Sequence, residues 1–293
     1  MSARQCLVAL ILGLVAGPAA AQDAQGLIAK NLAARGGAAA LLAIKSIRFE
    51  GRTIYPGDFE LTYRETRARV GQGAATRIDL TIQGLDVVQA YDGHGSGWKI
   101  NPFQGRKDAE KISADAARAL ADEALIEGPL LASRTDGSRV DYLGRDDFDG
   151  TLAYKLKVTQ KDGDEFTYWL DPDTFLEIKI EESRMIRGTR QTNETELGDY
   201  EKIAGVYYPM SIESWPQGAD SSRQRTIIAS GEANPAVGSD YFAEPGGTSG
   251  AVTTSGGPPS ASATPVAKAA AKPKRPASSK KTGSAPPASR GSK

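Results

Sequence analysis

Cysteine and histidine are almost absent from this chain: Cys6 and His94 are the only ones in 293 residues. A single cysteine makes no intrachain disulfide, and one thiol with one imidazole cannot supply the four ligands of a usual zinc site. Cys6 lies in the first apolar segment, so the remainder has no thiolate at all. No metal and no cofactor is therefore expected. Long hydrophobic runs are missing too. The apolar stretch from Cys6 to Val15 is broken by Gly13 and is too short to span a bilayer as a helix. Acidic residues are missing from one end: all 36 lie between Asp23 and Glu244.

What is present divides the chain into three. Residues 1–21 open with Arg4, continue through the apolar stretch and end in Gly17-Pro18-Ala19-Ala20-Ala21. A charged start, an apolar middle and small residues before a cut predict a secretory signal cleaved after Ala21. With no cysteine at the cut, no acyl anchor is expected. The mature chain should begin at Gln22, carry no transmembrane segment and be soluble in the periplasm. Residues 22–245 form the body, long enough for one domain. Residues 246–293 are built from Gly, Ser, Thr, Ala, Pro and Lys, which predicts a disordered tail. The zero net charge hides an asymmetry. The body holds 27 basic and 36 acidic residues; the tail holds eight basic and none acidic. Such a tail suggests a polyanionic partner of its own (lipopolysaccharide, anionic lipid or wall polymer), and export argues against nucleic acid.

The body opens with a helical period. Ala24, Leu27, Ile28 and Leu32 share one face, Gly36-Gly37 is a stop, and a short second turn covers Ala38 to Ile44. From Ser46 the period becomes two. Phe59, Leu61 and Tyr63 alternate with Glu60, Thr62 and Arg64; so do Ile78, Leu80 and Ile82, and later Leu152, Tyr154, Leu156 and Val158 with their neighbours. Such alternation predicts half-buried antiparallel strands, about twelve in all, joined as a meander by turns such as Pro56-Gly57 and Asp149-Gly150. One helix interrupts them. Ser113 is an N-cap, and Ala117, Leu120, Ala121, Ala124 and Leu125 follow on one face. Gly128-Pro129 is read as its stop, with Leu130 and Leu131 continuing the apolar surface. Two helices over so large a sheet leave either an apolar cavity suited to an acyl chain or a filled core. Leu27, Ile28, Leu32, Trp98, Ala117, Leu120, Ala121, Ala124, Leu125, Leu130 and Leu131 are the candidate cavity and lid residues.

Catalytic readings find little support. His94 and Ser96 share one glycine-rich turn, Asp92-Gly93-His94-Gly95-Ser96-Gly97, rather than the strand-to-helix elbow of a serine hydrolase. Asp146-Asp147-Phe148-Asp149-Gly150 fails the EF-hand spacing and reads as an acidic turn. Asp162-Gly163-Asp164-Glu165 is read as a turn with solvated carboxylates. Trp169 alternates out of phase with Phe166, Tyr168 and Leu170, so either Trp169 or Tyr168 faces outward.

An ordered series of segments resembles a known family. It runs from Gly26-Leu27-Ile28-Ala29-Lys30 and Ala40-Leu41-Leu42-Ala43-Ile44-Lys45-Ser46-Ile47, through Tyr91-Asp92-Gly93, Gly97-Trp98 and Glu127-Gly128-Pro129-Leu130, to Tyr168-Trp169-Leu170-Asp171, Asp199-Tyr200 and Gly205-Val206. These are similar to outer-membrane lipoprotein-sorting proteins, relatives of the periplasmic carrier LolA. The resemblance implies a mainly β (α+β) fold: a curved antiparallel half-barrel of about eleven or twelve strands, covered by an N-terminal helix and an inserted helical lid. It implies a non-enzymatic carrier of a lipid or lipoprotein acyl chain. No position here matches that family's cargo-gating arginine, and the basic tail is foreign to it. The alternatives are an envelope interaction module tethered through its tail and, from the His94 turn, a hydrolase.

Overall fold

In the computed structural model, which describes residues 17–105 and 107–246, thirteen strands form one open sheet. Helices α1 (Gly17–Ala34) and α2 (Gly37–Ala43) come first. Strands β1 (Ser46–Tyr55), β2 (Phe59–Val70), β3 (Gly73–Ile82), β4 (Leu85–Tyr91), β5 (Gly97–Ile100) and β6 (Glu110–Lys111) follow. Helices α3 (Ala114–Glu123) and α4 (Gly128–Asp136) interrupt the sheet. It resumes with β7 (Arg139–Phe148), β8 (Thr151–Thr159), β9 (Glu165–Leu170), β10 (Glu177–Ile186), β11 (Thr189–Ile203), β12 (Val206–Pro216) and β13 (Gln224–Ala233). The expected signal falls mostly on residues outside those described. So does the tail, apart from Gly246. No described helix is long and apolar enough to cross a membrane.

The spatial order is β6-β5-β4-β3-β2-β1-β13-β12-β11-β10-β9-β8-β7, all antiparallel. Each half is a meander, as expected. The halves join where the last strand returns to the first, a pairing that turn signals do not encode. The strand count exceeds the expectation because pieces such as the two-residue β6 are too short to show alternation. The edges β6 and β7 are linked by α3 and α4, which bridge the two wings of the sheet.

Bulges bend the sheet. One sits where β1 meets β13, between Glu50 and Gly51. A Cβ on Gly51 would lie 2.0 Å from the Ile227 carbonyl oxygen, so only glycine fits there. At the end of α1, Gly36 adopts φ 118°, and a Cβ there would lie 2.2 Å from the Gly205 oxygen. Arg35 then donates from Nε to the Tyr207 oxygen at 2.9 Å and pairs with Glu177 at 3.3 Å, fixing the helix end to the sheet.

The inserted helix differs from its expectation. Ser113 caps it as expected, Oγ accepting from the Ala116 amide at 3.3 Å. It ends at Glu123, however, and Gly128-Pro129 opens a further helix instead of closing this one. Proline is preorganised for a helix's first turn, and Gly128 takes the corner at φ 76°. The main core lies between the concave face of the sheet and the helices. Ile47, Phe49, Leu61, Ile78, Leu80, Leu156, Val158, Tyr208 and Met210 meet Leu27, Ile28, Leu41, Leu120, Ile126, Leu130 and Leu131 there.

Candidate functional site

Alternation assigns each strand residue to a face, and register carries the assignment across the sheet. At one end of the concave face the apolar lining stays partly open. Tyr55, Ile82, Ile180 and Ile212 are half-buried against the core. Tyr55 pairs with Phe59 and Ile82 with Leu85, and these partners are 49% and 42% exposed. The floor of the hollow at this end is therefore apolar and reachable from solvent.

Midway along the same face the lining becomes charged. Tyr63, Glu65 and Arg67 follow at every second residue of β2. Arg67 grips Glu65 with two bonds, of 2.6 and 3.0 Å, and the Tyr63 hydroxyl donates to Glu65 at 2.8 Å. Burial, with Glu65 next to it, pushes the Tyr63 phenol well above its ordinary range. In the other wing, Arg184 of β10 binds Asp164 at 2.5 Å, Asp122 at 2.8 Å and Glu182. Burial alone would lower this guanidinium, but the surrounding carboxylates raise it. The same burial raises Asp122 against the pull of Arg184.

The bridge made by α3 and α4 is apolar beneath and ionic at its margins. Leu120, Ile126, Leu130 and Leu131 are buried in the core. Asp122 ties α3 to β10 through Arg184 and accepts from the Gln160 amide at 2.6 Å. Asp115 accepts from the Arg187 amide at 3.1 Å. Glu127, at the start of α4, holds Arg69 of β2 at 2.7 and 3.3 Å. Glu123 is different. Its side chain is exposed, and among the described residues no hydrogen bond or ion pair reaches it. Its carboxyl is nonetheless pushed up to about 7, by surrounding protein first and by Glu65 second, with Arg67 opposing. The exposure tempers the first of these causes.

No family model matches the chain, and no curated protein matches it. Solved structures do. An outer membrane lipoprotein-sorting protein domain from Vibrio parahaemolyticus matches with a TM-score of 0.53 at 13% identity, over 76% of this chain and 97% of that one. A DUF1329 family protein from Desulfovibrio piger matches with 0.56 at 11%, over 76% and 97%. A LolA superfamily protein from Nitrosomonas europaea matches with 0.50 at 14%, over 75% and 97%. The chain shares its fold with these three structures. At these identities the likeness is one of fold.

On this LolA-like sheet, most of the expected lid residues meet. Leu27, Ile28, Leu120, Leu130 and Leu131 join one core cluster, and Leu32 packs against it. Ala117 and Ala124 are buried, while Ala121 and Leu125 are half-buried. Trp98 is a correction. It lies on the opposite, convex face with Ala90, because register pairs the two and Ala90 alternates with the concave Tyr91. There its indole donates to the Phe242 oxygen at 2.8 Å, under a C-terminal strap. Asp164 is a second correction: it is buried against Arg184 rather than solvated. Tyr168 faces the core, and Trp169 faces outward yet is buried, with Lys155 and Lys179 set 4.5 and 5.2 Å from its ring.

His94 sits in the turn before β5, its amide bonded to the Asp92 carboxylate at 2.7 Å. Among the described residues no three His, Cys, Asp or Glu side chains are grouped as a metal would need. Among the described residues, open surface depressions of about 280 and 450 Å³ are lined by Glu50, Thr62, Arg64 and Asp79, and by Asp199, Tyr200, Met210 and Ile227, among others. No helix residue lines either depression. Reading the sequence missed the charged residues of the concave face. A signal for them existed: Glu65 and Arg67 continue the phase of Leu61 and Tyr63, so charges stand where that strand's pattern asks for apolar groups.

Proposed function

We propose that this chain is an exported carrier whose hollow holds the acyl chain of a lipid or lipoprotein in the periplasm, without catalysis. The observation that carries the reading is the half-exposed apolar floor formed by Tyr55, Phe59, Ile82, Leu85, Ile180 and Ile212, beneath a helical bridge tied down at its margins by ion pairs. Water against such a floor is unfavourable, at about 25 cal/mol per Å² of apolar surface, and an acyl chain removes it. The signal reading of residues 1–21 supplies the compartment, and the fold shared with a lipoprotein-sorting domain agrees with the role.

The test is direct. Full-length protein expressed with its leader should appear in an osmotic-shock fraction without detergent, beginning at Gln22. Mass spectrometry under native conditions should find copurified acyl lipids, and Ile212→Glu should abolish their retention. Protein that is free of lipid and binds no acyl probe would defeat the carrier reading. It would favour the interaction module, for which the filled core between sheet and helices is the supporting observation.

A further inference from the structure

We propose that the sheet has a side port between β12 and β13, through which the far end of a long unbranched alkyl chain leaves the hollow. The inference rests on the carrier reading and adds a chain length to its ligand.

The two strands part midway. Among the described residues, β12 pairs with β13 from Ser211 opposite Ile227 to Ser214 opposite Gln224, and no farther. Beyond Ser211, β12 stays with β11 as far as Val206, and β13 stays with β1 as far as Ala233. Residues 206–210 and 228–233 therefore line the two sides of a fork without ladder bonds across it.

Both sides of the fork are built. Gly51 of β1 pairs with Ile228 and Glu50 with Ser230, so β13 carries Ala229 as an extra residue. Such a bulge bends its strand, and this one bends β13 where it leaves β12. On the other side, the Tyr207 amide donates to the Arg35 carbonyl at 3.0 Å, and the Tyr207 carbonyl accepts from Arg35 Nε at 2.9 Å. The end of α1 thus caps the edge that would have met β13. Pro209, two residues on, turns the same edge outward and has no N–H to give a ladder. Farther along, Ile203 rests over Gly231 and closes the fork: a Cβ on Gly231 would lie 2.1 Å from the Ile203 Cδ1.

The open part coincides with the depression of about 450 Å³. Ile227 and Ile228 line it from β13, Met210 from β12, and Asp199, Tyr200 and Glu201 from β11. Met210 and Ile228 are also members of the main core, so the same two side chains face the depression and the packing beneath the helices. Met210 alternates with Ile212 of the half-exposed floor, on the same face of β12. An alkyl chain lying on that floor continues over Met210 into the fork. Methionine has three rotatable side-chain bonds and yields easily. The slot is stopped at Ile227 by the ladder and at Gly231 by Ile203, about 13 Å apart along a strand. A slot held at both ends suits one flexible chain, not a ring system or an added strand.

The test uses N-alkyl dansylamides with chains of 8, 12 and 16 carbons, titrated by dansyl fluorescence into the full-length protein. Each buried CH₂ is worth roughly fourfold in affinity. Affinity should still rise on the order of tenfold from 12 to 16 carbons, less than full burial gives because the depression is open. Ile227→Trp and Glu201→Trp fill the depression from opposite sides. Each should leave the 8-carbon affinity in place and abolish the gain from 12 to 16 carbons. Glu201→Gln, which fills nothing, should bind like the unmodified protein, and circular dichroism checks that every variant folds. A 16-carbon probe held no tighter than the 12-carbon one, or a gain that survives both tryptophans, would overturn the port and spare the carrier. A gain lost equally in Glu201→Gln would overturn it too, since charge and not filled space would then be responsible. Failure of all three probes to bind the unmodified protein would overturn the carrier reading and the port together.

Discussion

Arg184 holds three carboxylates that reach it from separate parts of the chain: Asp122 on α3, Asp164 in the turn after β8, and Glu182 on its own strand. Removing one member of a buried ionic group leaves the others unpaired, at a cost of about 3–5 kcal/mol. Arg184→Ala should therefore lower the urea midpoint by that order, and Arg184→Lys should restore only part of it, since an ammonium cannot fork between several acceptors. Glu123 adds a pH dependence of definite sign. Surrounding protein first, and the Glu65 charge second, raise its carboxyl above the ordinary value. Its contribution to stability is then fully present below the unfolded value and is lost as pH rises through the higher folded value. Urea midpoints should fall between pH 5 and pH 8, and Glu123→Gln should fall less; equal slopes for both proteins would reject this. At this scale the sequence was legible in part. Leu120, Leu130 and Leu131 declare themselves by helical spacing, whereas Asp164 is indistinguishable from any turn carboxylate until Arg184 is known to lie above it.

Two elements control how the sheet is covered. Helix α3 begins at Ser113, and removing a capping hydroxyl costs about 1 kcal/mol. Ser113→Ala should speed amide hydrogen exchange in α3 while leaving β2 and β9 as slow as before. Equal acceleration everywhere would mean that the bridge does not open apart from the sheet. The bulge in β1 is the other control point. Gly51→Ala would force a methyl against the Ile227 carbonyl, and the chain must shift to accept it. A loss of about 1–3 kcal/mol is expected, as for overpacking elsewhere, read from the thermal midpoint. Strands and helices were visible from their periods of two and 3.6. The break between α3 and α4 was not, because Gly-Pro marks a helix start as readily as a stop, and only the buried faces of Leu130 and Leu131 decide which.

The whole molecule is completed by the strap. Phe242 is buried against Ala68 and Ala75, while Arg77 lies 5.6 Å from the Trp98 ring and 4.9 Å from the Tyr241 ring. Burying side chains of this size is worth about 1.5–3 kcal/mol each. Truncation after Ala233 should therefore lower the thermal midpoint and shift Trp98 emission to the red. Truncation after Gly246 should leave the midpoint unchanged, because the residues beyond it have no apolar pattern with which to form a core. That shorter chain should also lose any salt-sensitive sedimentation with anionic vesicles; equal sedimentation of the full-length and shortened proteins would show that the tail is no tether.

The sequence by itself determined the local rules: which segments alternate, which spiral, where Ser113 caps, and that a basic tail follows an acidic body. Those depend on neighbours a few residues apart. Only the tertiary structure decided that β13 closes on β1, that Trp98 faces away from the hollow, and that Asp122, Asp164 and Glu182 converge on Arg184. Such relations join residues scores of positions apart, and strand register together with the return of the last strand to the first sets them.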